Sequence, residues 1–328
     1  MKPFDYTRTS SVQAAAELSS DDATMVIAGG TNLLDLMKLQ VETPARLADI
    51  GPLGMEGIAE TDEGGLRIGA NVTNTATAVD ERVCRDYPVL AHAILAGATQ
   101  QLRNKATTGG NLCQRTRCFY FTNIDQPCNK REPGSGCGAI DGIAKLHAIL
   151  GTSDACIATY PGDMAVAMSA LDASVEITSS RGTDRVVPAR EFHRLPGDTP
   201  WRDNVLEPGD IITAVTLPPP TGGSHYYRKV RERSSYAFAL VSVAAIIEFE
   251  DGVFSRADLA FGGLAHKPWY DPDISAVLLG QAPDEALFDR AADVLLKDAQ
   301  GYGENDFKIL LARRTLHAVL AQAVEDAA

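Results

Sequence analysis

The sequence contains no run of about 18 or more apolar residues, the minimum for a membrane-spanning helix, although 45% of its 328 residues are hydrophobic. We therefore expect no transmembrane helix and no membrane partner. Residues 1–20 lack a basic segment followed by an apolar one, so they do not have the pattern of a signal peptide. By itself, the chain is expected to stay in the cytoplasm.

Positive charge is also scarce. Thirty Lys and Arg residues face 43 Asp and Glu residues, which leaves a net charge of −13 at pH 7. Because a nucleic-acid-binding protein needs a basic face, we expect no nucleic-acid partner. The six histidines form no HxxxH pair and no grouping typical of a catalytic triad.

Six cysteines in a chain of this length are too few for a secreted disulfide framework. Five of them nevertheless fall between residues 113 and 156. That segment is rich in proline and glycine and has little hydrophobic periodicity, so we predict a long irregular loop. Loops of this length are usually functional or disordered.

The first part of the chain predicts a βαβ unit. An apolar β-prone run at 24–27 ends at a glycine pair, a helix is expected at 33–39 with Thr31 or Asn32 as its cap, and a second strand at 46–50. Further strands are expected at 66–70, 174–179 and 211–217, and helices at 75–83, 89–98 and 164–171.

Three consecutive prolines at 218–220 and the glycines that follow give the clearest domain boundary. Beyond it we expect an antiparallel sheet, with strands at 226–230, 238–249 and 257–261. Asp251-Gly252 is a hairpin turn signal. Two helices, at 284–299 and 304–325, complete this second domain.

Two glycine motifs carry the first chemical signal: AGGTNL at 28–33 and TTGGNL at 107–112. Adjacent glycines let the backbone approach a ligand closely, and the amides that open the next helix form a site for a pyrophosphate. Each motif alone could be an ordinary strand-to-helix turn. Neither matches GxGxxG or a P-loop, so a Rossmann or P-loop nucleotide site is disfavoured.

The cysteine loop carries the second signal, because four thiolates can hold an iron–sulfur cluster or a zinc ion. Nine residues separate Cys118 from Cys128, eight separate Cys128 from Cys137, and eighteen separate Cys137 from Cys156. No paired zinc knuckle is present, which favours a cluster over a zinc-stabilised interaction module. Scattered free cysteines are disfavoured, because such loops lie at the surface. With Cys113, there are five candidates for four places.

The two glycine motifs, in this order and spacing, together with PGD at 161–163 and YAFALVSVA at 236–244, resemble the FAD subunits of the xanthine dehydrogenase and carbon monoxide dehydrogenase family. The closest likeness is to the FAD subunits of periplasmic aldehyde oxidoreductases. The resemblance implies an α+β fold, with a two-subdomain FAD-binding domain of the vanillyl-alcohol-oxidase/PCMH type at 1–220. A small α+β domain like the CO dehydrogenase flavoprotein C-terminal domain follows at 221–328.

The resemblance also implies the FAD-binding residues. The first motif would wrap the pyrophosphate and ribityl chain, and the second would do so from the other side. Asp163 would bond the ribityl hydroxyls, Ile212 would pack on the adenine, and Lys229 would lie near the isoalloxazine. Judged without the family, Asp163 is simply a helix cap, Ile212 a core residue and Lys229 an exposed strand residue. The full predicted set is Val26, Ile27, Ala28, Gly29, Gly30, Thr31, Asn32, Leu33, Leu34, Thr107, Thr108, Gly109, Gly110, Asn111, Asp163, Ile212 and Lys229.

The resemblance further implies that the cysteine loop at about 113–156 is an insertion with a [4Fe-4S] cluster. In family members that lack the insertion, a cysteine often follows GGNL, so Cys113 belongs to the family background. The predicted ligands are Cys118, Cys128, Cys137 and Cys156. Basic residues of the loop are expected to stabilise the negatively charged cluster: Arg115, Arg117, Lys130 and Arg131.

The implied function is electron transfer, with no catalytic acid, base or nucleophile in this chain. A molybdopterin-binding large subunit and a [2Fe-2S] small subunit would complete a heterotrimer, and a signal on a partner would carry the complex to the periplasm. The alternatives are an FAD subunit of the xanthine dehydrogenase or 4-hydroxybenzoyl-CoA reductase type, and a stand-alone flavin oxidase. The C-terminal domain looks too small to supply the substrate cavity that a stand-alone oxidase needs.

Overall fold

The computed structural model describes residues 1–327, and the chain begins with a small parallel sheet of order β1-β3-β2. Its strands and connecting helices are β1 (Asp5–Arg8), α1 (Val12–Leu18), β2 (Thr24–Ile27), α2 (Leu33–Lys38) and β3 (Arg46–Asp49). Both strand pairs in this sheet are parallel. The predicted βαβ unit is therefore confirmed, and its glycine turn lies between β2 and α2.

A five-stranded antiparallel sheet of order β4-β5-β8-β6-β7 forms the second part of the first domain. Its strands are β4 (Ile58–Glu60), β5 (Leu66–Gly69), β6 (Ser174–Ser179), β7 (Asp184–Pro188) and β8 (Asp210–Leu217). The central strand β8 pairs with β5 on one side and β6 on the other, so it joins segments on either side of the cysteine loop.

Within residues 1–327, eight short helices also belong to the first domain. They are α3 (Asn74–Val79), α4 (Glu81–Asp86), α5 (Pro88–Ala96), α6 (Gln100–Arg103), α7 (Thr108–Leu112), α8 (Phe119–Thr122), α9 (Met164–Ala170) and α10 (Ala189–Phe192), with a 3₁₀ turn at Gly51–Leu53. The single helix expected at 75–83 is two helices. Asp80 has an extended backbone that ends α3, and its side chain accepts a hydrogen bond from the Arg82 amide to start α4.

The C-terminal sheet is antiparallel, with order β11-β10-β9. It comprises β9 (Ser224–Val230), β10 (Val241–Glu250) and β11 (Val253–Gly262), and α11 (Pro272–Leu278), α12 (Glu285–Leu296) and α13 (Phe307–Ala327) follow. Asp251 and Gly252 have φ values of 51° and 78°, as a type I′ hairpin turn requires. Strand β10 begins three residues later than expected, because residues 238–240 belong to a loop.

Both faces of the C-terminal sheet are covered, since side chains alternate across a strand. Ala244, Ile246 and Ala260 belong to the core of the first domain. Val243 and Leu259, on the opposite face, pack with the C-terminal helices. This shared packing confirms the predicted α+β fold and fixes β9 beside the glycine motifs. Within residues 1–327, no helix combines the length and the apolar character that crossing a membrane requires.

Candidate functional site

A cleft of about 330 Å³ lies where the two glycine motifs meet β9 and the loop at 231–240. Six of the predicted FAD-binding residues line it: Thr31, Asn32, Gly110, Asn111, Asp163 and Lys229. These residues come from four separate parts of the chain. The fold therefore brings both glycine motifs to the cavity that also receives Asp163 and Lys229.

The first glycine motif packs closely against the backbone just before the second. A Cβ atom on Gly29 would lie 2.0 Å from the carbonyl oxygen of Lys105, just before the second motif, so only glycine fits there. Gly30 has a φ of +73°, which favours glycine. A Cβ on Gly110 would approach only Thr107 Oγ1, at 2.9 Å, and would otherwise face open space. Gly110 thus leaves the backbone accessible from the cleft.

Thr107 begins α7 as an N-cap, because its hydroxyl accepts a hydrogen bond of 3.2 Å from the Gly110 amide. Asn32 is the N-cap residue of α2, one of the two expected, but its side chain makes no cap hydrogen bond. Instead, Asn32 Oδ1 accepts from the amide of Arg115 at 2.8 Å. Asn32 therefore connects the first glycine motif to the start of the cysteine loop.

Two buried amide atoms of the cleft, Asn32 Nδ2 and Asn74 Oδ1, have no hydrogen-bond partner within residues 1–327, and neither has the buried Nε of Arg117. A buried polar group without a partner costs free energy. A polar ligand such as the diphosphate and ribityl chain of FAD would supply partners for both atoms. The donors and acceptors of the cleft therefore fit FAD.

Asp163 and Lys229 form a buried ion pair across the domain boundary, with Lys229 Nζ 2.8 Å from Asp163 Oδ2. The Tyr227 hydroxyl donates to the other carboxylate oxygen at 2.7 Å. Burial, and next the Asp163 carboxylate, raise the pKa of Tyr227 well above its ordinary value, so this hydroxyl stays protonated. The alternative in which Asp163 only caps a helix is wrong, because its side chain makes no cap hydrogen bond. Lys229 is not an exposed strand residue either, since its side chain is 4% exposed.

The remaining predicted FAD residues do not line the cleft. They are Val26, Ile27, Ala28, Gly29, Gly30, Leu33, Leu34, Thr107, Thr108, Gly109 and Ile212. Ile212 is 6% exposed and packs in the main core. Its contact with adenine, like the roles of the other residues in this set, stays a prediction.

Several cleft residues were not predicted, among them Asn74, Arg103, Gln114, Arg117, Arg233, Tyr236 and Phe238. Gln114 and Arg117 follow the second glycine motif closely, so their position in the chain was a usable signal. Tyr236 and Phe238 lie in or beside the segment that was assigned to a strand. Tyr236 has a φ of 52°, a conformation that a β-strand does not contain.

The cysteine loop forms a second, narrow cavity of about 10 Å³ beside the cleft. All four predicted ligands line it: Cys118, Cys128, Cys137 and Cys156. Cys113 lies outside it and packs against the main core. The six cysteines are free, and Cys128 pairs with Cys137 in an isolated antiparallel bridge.

The four cysteines line one cavity. Within residues 1–327, no three His, Cys, Asp or Glu side chains converge closely enough to hold one metal ion. Burial raises the pKa of Cys118 to about 11 and that of Cys156 to about 12. As bare thiols they stay protonated at neutral pH, whereas a cationic iron centre would favour the thiolates.

Side-chain ion pairs and hydrogen bonds anchor this loop. Lys130 Nζ donates to Pro200 O at 2.6 Å and to Asp203, which also pairs with Arg115. Burial alone would raise the pKa of Asp203, but Arg115 and Lys130 together hold it below its ordinary value. Arg131 donates to two backbone carbonyls of α8 at 2.8 Å. Lys130 also lines the cysteine cavity, and its charge acts to lower the pKa of Cys156 against the larger effect of burial. Stabilisation of a cluster by the basic residues of the loop stays a prediction.

The loop is also more buried than its composition indicated. Cys128 and Cys156 are 6% and 5% exposed, and the Phe121 side chain lies fully in the interior. The argument that a Pro/Gly-rich loop lies at the surface was therefore wrong here. The reason is that Lys130 and Arg115 hold the loop against Asp203, a residue of the first domain.

A smaller cavity of about 100 Å³ connects the two sites. It shares Arg117, Asp163 and Phe238 with the cleft and also contains Cys118 and His147. His147 Nε2 lies 3.1 Å from Cys118 Sγ. The start of the cysteine loop, at Arg117 and Cys118, therefore lies in the wall between the cleft and the smaller cavity.

Comparison with known proteins agrees with this geometry. The family described as the FAD binding domain in molybdopterin dehydrogenase matches residues 2–220. The CO dehydrogenase flavoprotein C-terminal domain matches residues 225–323. The chain is 54% identical over 324 residues to the aldehyde oxidoreductase FAD-binding subunit PaoB of Escherichia coli (strain K12), covering 98% of this chain and 99% of that protein.

More distant relatives share the same length and fold. The carbon monoxide dehydrogenase medium chain of Afipia carboxidovorans is 27% identical, covering 99% of this chain and 96% of that protein. The solved Cu,Mo-CO dehydrogenase in its cyanide-inactivated form superposes with a TM-score of 0.77 at 24% identity, covering 99% of each chain. The two family matches and the 54% identity together show that the chain belongs to the FAD-binding subunits of the molybdenum hydroxylases, a family of oxidoreductases.

Proposed function

We propose that this chain is the FAD-binding electron-transfer subunit of a molybdenum-dependent aldehyde oxidoreductase. The observation that carries this proposal is the 54% identity, over nearly the full length, to a subunit whose name states that activity. In this family the molybdopterin and the [2Fe-2S] clusters belong to partner subunits. The substrate would be oxidised on the molybdopterin subunit, and its electrons would leave through this chain to an acceptor.

The cleft assigns roles to this chain's own residues. When bound, FAD accepts two electrons and can pass them on, which is the chemistry that the polypeptide lacks. The backbone at Gly30 and Gly110 would hold the pyrophosphate, with Asn32 and Asn74 bonding polar groups of the cofactor. The Asp163–Lys229 pair would stabilise the part of the cleft that lies beside the flavin ring. No residue is required to act as an acid, base or nucleophile toward the aldehyde.

The cysteine cavity supports a [4Fe-4S] cluster held by Cys118, Cys128, Cys137 and Cys156. The ligands of a cubane bind four different iron atoms, so their sulfurs surround a volume. The ligands of a structural zinc ion converge on one point, with Zn–S distances of about 2.3 Å. The four thiols line one cavity without such a convergence, which favours the cluster over the zinc-stabilised module.

A heterotrimer is the assembly that we propose, with one molybdopterin-binding large subunit and one [2Fe-2S] small subunit. We further propose that the complex folds in the cytoplasm and reaches the periplasm through a signal on a partner. Co-expression with and without the signal of the small subunit, followed by fractionation, tests this proposal. Periplasmic recovery that does not depend on the partner's signal would refute co-export.

The function is tested on the purified complex with a substrate panel. Aldehydes, a purine and 4-hydroxybenzoyl-CoA are each supplied with an artificial electron acceptor, and flavin and iron contents are measured in parallel. We expect turnover with aldehydes and a yellow-brown protein. Turnover with the purine or the thioester alone would assign the chain to another enzyme of the family. A colourless chain would contradict the flavoprotein assignment.

A further inference from the structure

Arg117 presents a positive charge to the cleft without a partner of opposite charge. Within residues 1–327, its Nε atom is buried and has no hydrogen-bond partner. The guanidinium carbon lies 5.2 Å from the centre of the Phe238 ring, and both residues line the cleft. A buried charge without a partner costs free energy, so this arrangement indicates a negatively charged or strongly polar ligand.

The other basic residues nearby are already engaged. Lys229 is paired with Asp163, and Arg103 donates to the carbonyl of Gly97 at 2.7 Å. Asp35 also lines the cleft, but it is exposed and lies 3.9 Å from Lys38. Arg233 donates to the carbonyl of Tyr236 at 2.9 Å. Among the basic residues that line the cleft within residues 1–327, Arg117 is therefore the one whose guanidinium has neither an ion pair nor a hydrogen-bond partner.

The position of Arg117 identifies which part of FAD it would meet. The glycine motifs, which fit the pyrophosphate, line the cleft but not the smaller cavity. Arg117 lies in the wall shared with that cavity, together with Asp163 and Phe238. Tyr236 also lines the cleft. Aromatic side chains and a guanidinium plane are suited to a flat ring system.

We propose that Arg117 contacts the isoalloxazine ring of FAD and raises its reduction potential. A cation beside the ring stabilises the negative charge that the ring gains on reduction. This inference rests on the proposed placement of FAD in the cleft. The next residue along the chain is Cys118, so a single peptide unit links the residue facing the flavin to a proposed cluster ligand.

The test measures the midpoint potential of FAD bound to the full-length chain. A redox titration gives this potential, with the flavin absorbance as the readout. Arg117→Met removes the charge and keeps an extended side chain, and Arg117→Lys keeps the charge. We expect the Met variant to bind FAD with a more negative potential. The change corresponds to at least a tenfold lower equilibrium constant for two-electron reduction, or about 30 mV. The Lys variant should stay close to the wild type.

Lys145→Met is the matched control, because it removes one positive charge from an exposed position of the same loop. Its flavin potential should not change. Should Arg117→Met fail to fold, Arg117→Gln repeats the loss of charge with a polar side chain.

Two results would overturn the proposal. The first is an unchanged potential in a neutral Arg117 variant that holds a full complement of FAD. The second is loss of FAD in the neutral variants, with a wild-type potential in whatever flavin remains, because Arg117 would then anchor the phosphates. A wild-type chain that binds no FAD would instead refute the proposed function, so the two failures are distinguishable.

Discussion

The glycine motifs and the cysteine loop lie side by side, but different forces hold them in place. The glycine motifs follow regular elements, and close backbone contacts such as Gly29 against Lys105 fix their positions. The cysteine loop contains one short helix, α8, and depends on side-chain contacts such as Lys130 with Asp203. A pyrophosphate site can thus be built from backbone geometry, whereas a site for four thiols needs long-range side-chain anchors.

Substitution of a predicted cluster ligand should have the largest effect, because it should change the iron content and leave the FAD content unchanged. Cys118→Ser, Cys128→Ser, Cys137→Ser and Cys156→Ser should each lose the cluster iron, because each thiol lines the one cavity. FAD content should remain, since Cys128, Cys137 and Cys156 do not line the cleft. Iron and flavin assays on the purified variants measure both quantities.

Cys113→Ser is the control for this series. It lies in the same segment but outside the cysteine cavity, so its iron content should equal that of the wild type. Loss of iron in Cys113→Ser together with retention in Cys156→Ser would show that the ligand set was chosen wrongly.

Breaking the Asp163–Lys229 pair should have the next largest effect. In Lys229→Met, the Asp163 carboxylate is left buried without its cation, which costs about 3–5 kcal/mol of unfolding free energy. FAD affinity should fall as well, because the pair lines the cleft. Chemical denaturation and flavin titration provide the two measurements.

The ion pair of Arg67 with Glu176 is the matched control, because the Arg67 side chain is 46% exposed. Arg67→Met should cost about 1 kcal/mol or less and leave FAD binding unchanged. Equal losses in the two variants would mean that burial of the Asp163–Lys229 pair is unimportant.

Substitution of a cleft glycine should weaken FAD binding and spare the cluster. Gly30→Val forces a β-branched residue into a left-handed conformation, which costs about 1–3 kcal/mol. Since the strain distorts the first glycine motif, the dissociation constant for FAD should rise at least tenfold. Iron content should stay at the wild-type level.

Gly54→Val tests whether strain alone explains the result. Gly54 has a φ of +69°, and a Cβ there meets nothing within 4 Å. The variant should lose stability and retain its FAD affinity. A comparable loss of FAD in Gly54→Val would remove the support for a site at Gly30.

The smallest effect concerns His193, which supports the second glycine motif from behind. Its ring nitrogen Nε2 lies 2.9 Å from the carbonyl oxygen of Leu112. Burial lowers the pKa of His193 to about 4, below the value of about 6.5 for an unfolded chain. The unfolded state therefore binds the extra proton first. The contribution of the neutral, buried His193 to the free energy of unfolding is complete above pH 6.5 and is lost as the pH falls toward 4.

His193→Gln should flatten this pH dependence, whose slope from one residue is at most about 1.4 kcal/mol per pH unit. Unfolding free energies measured between pH 4 and pH 7 provide the test. His92→Gln, at an exposed position, should leave the profile unchanged. An identical profile in His193→Gln and the wild type would contradict the assignment.

Much of the order of helices and strands could be read from the sequence because it depends on local patterns, although the short strands β1, β4 and β7 were not predicted. The βαβ unit and the turn at Asp251-Gly252 follow from periodicity and glycine placement, and both are confirmed. The motifs at 28–33 and 107–112 also carried the family resemblance. Local patterns give no information on which loop residue faces a cavity, however. Tyr236 and Phe238 were therefore assigned to a strand or its edge.

By itself, the sequence determined the two glycine turns, because residue type limits backbone conformation locally, and its motifs carried the family resemblance that implied the α+β fold. Only the tertiary structure decided how the charges are distributed. Arg115, Arg117 and Lys130 look equivalent in the sequence, yet Arg115 and Lys130 are neutralised by Asp203 and Arg117 faces the cleft. The physical reason is that the partner of a charged group is set by distance in space, and Asp203 lies more than 70 residues further along the chain from each of them.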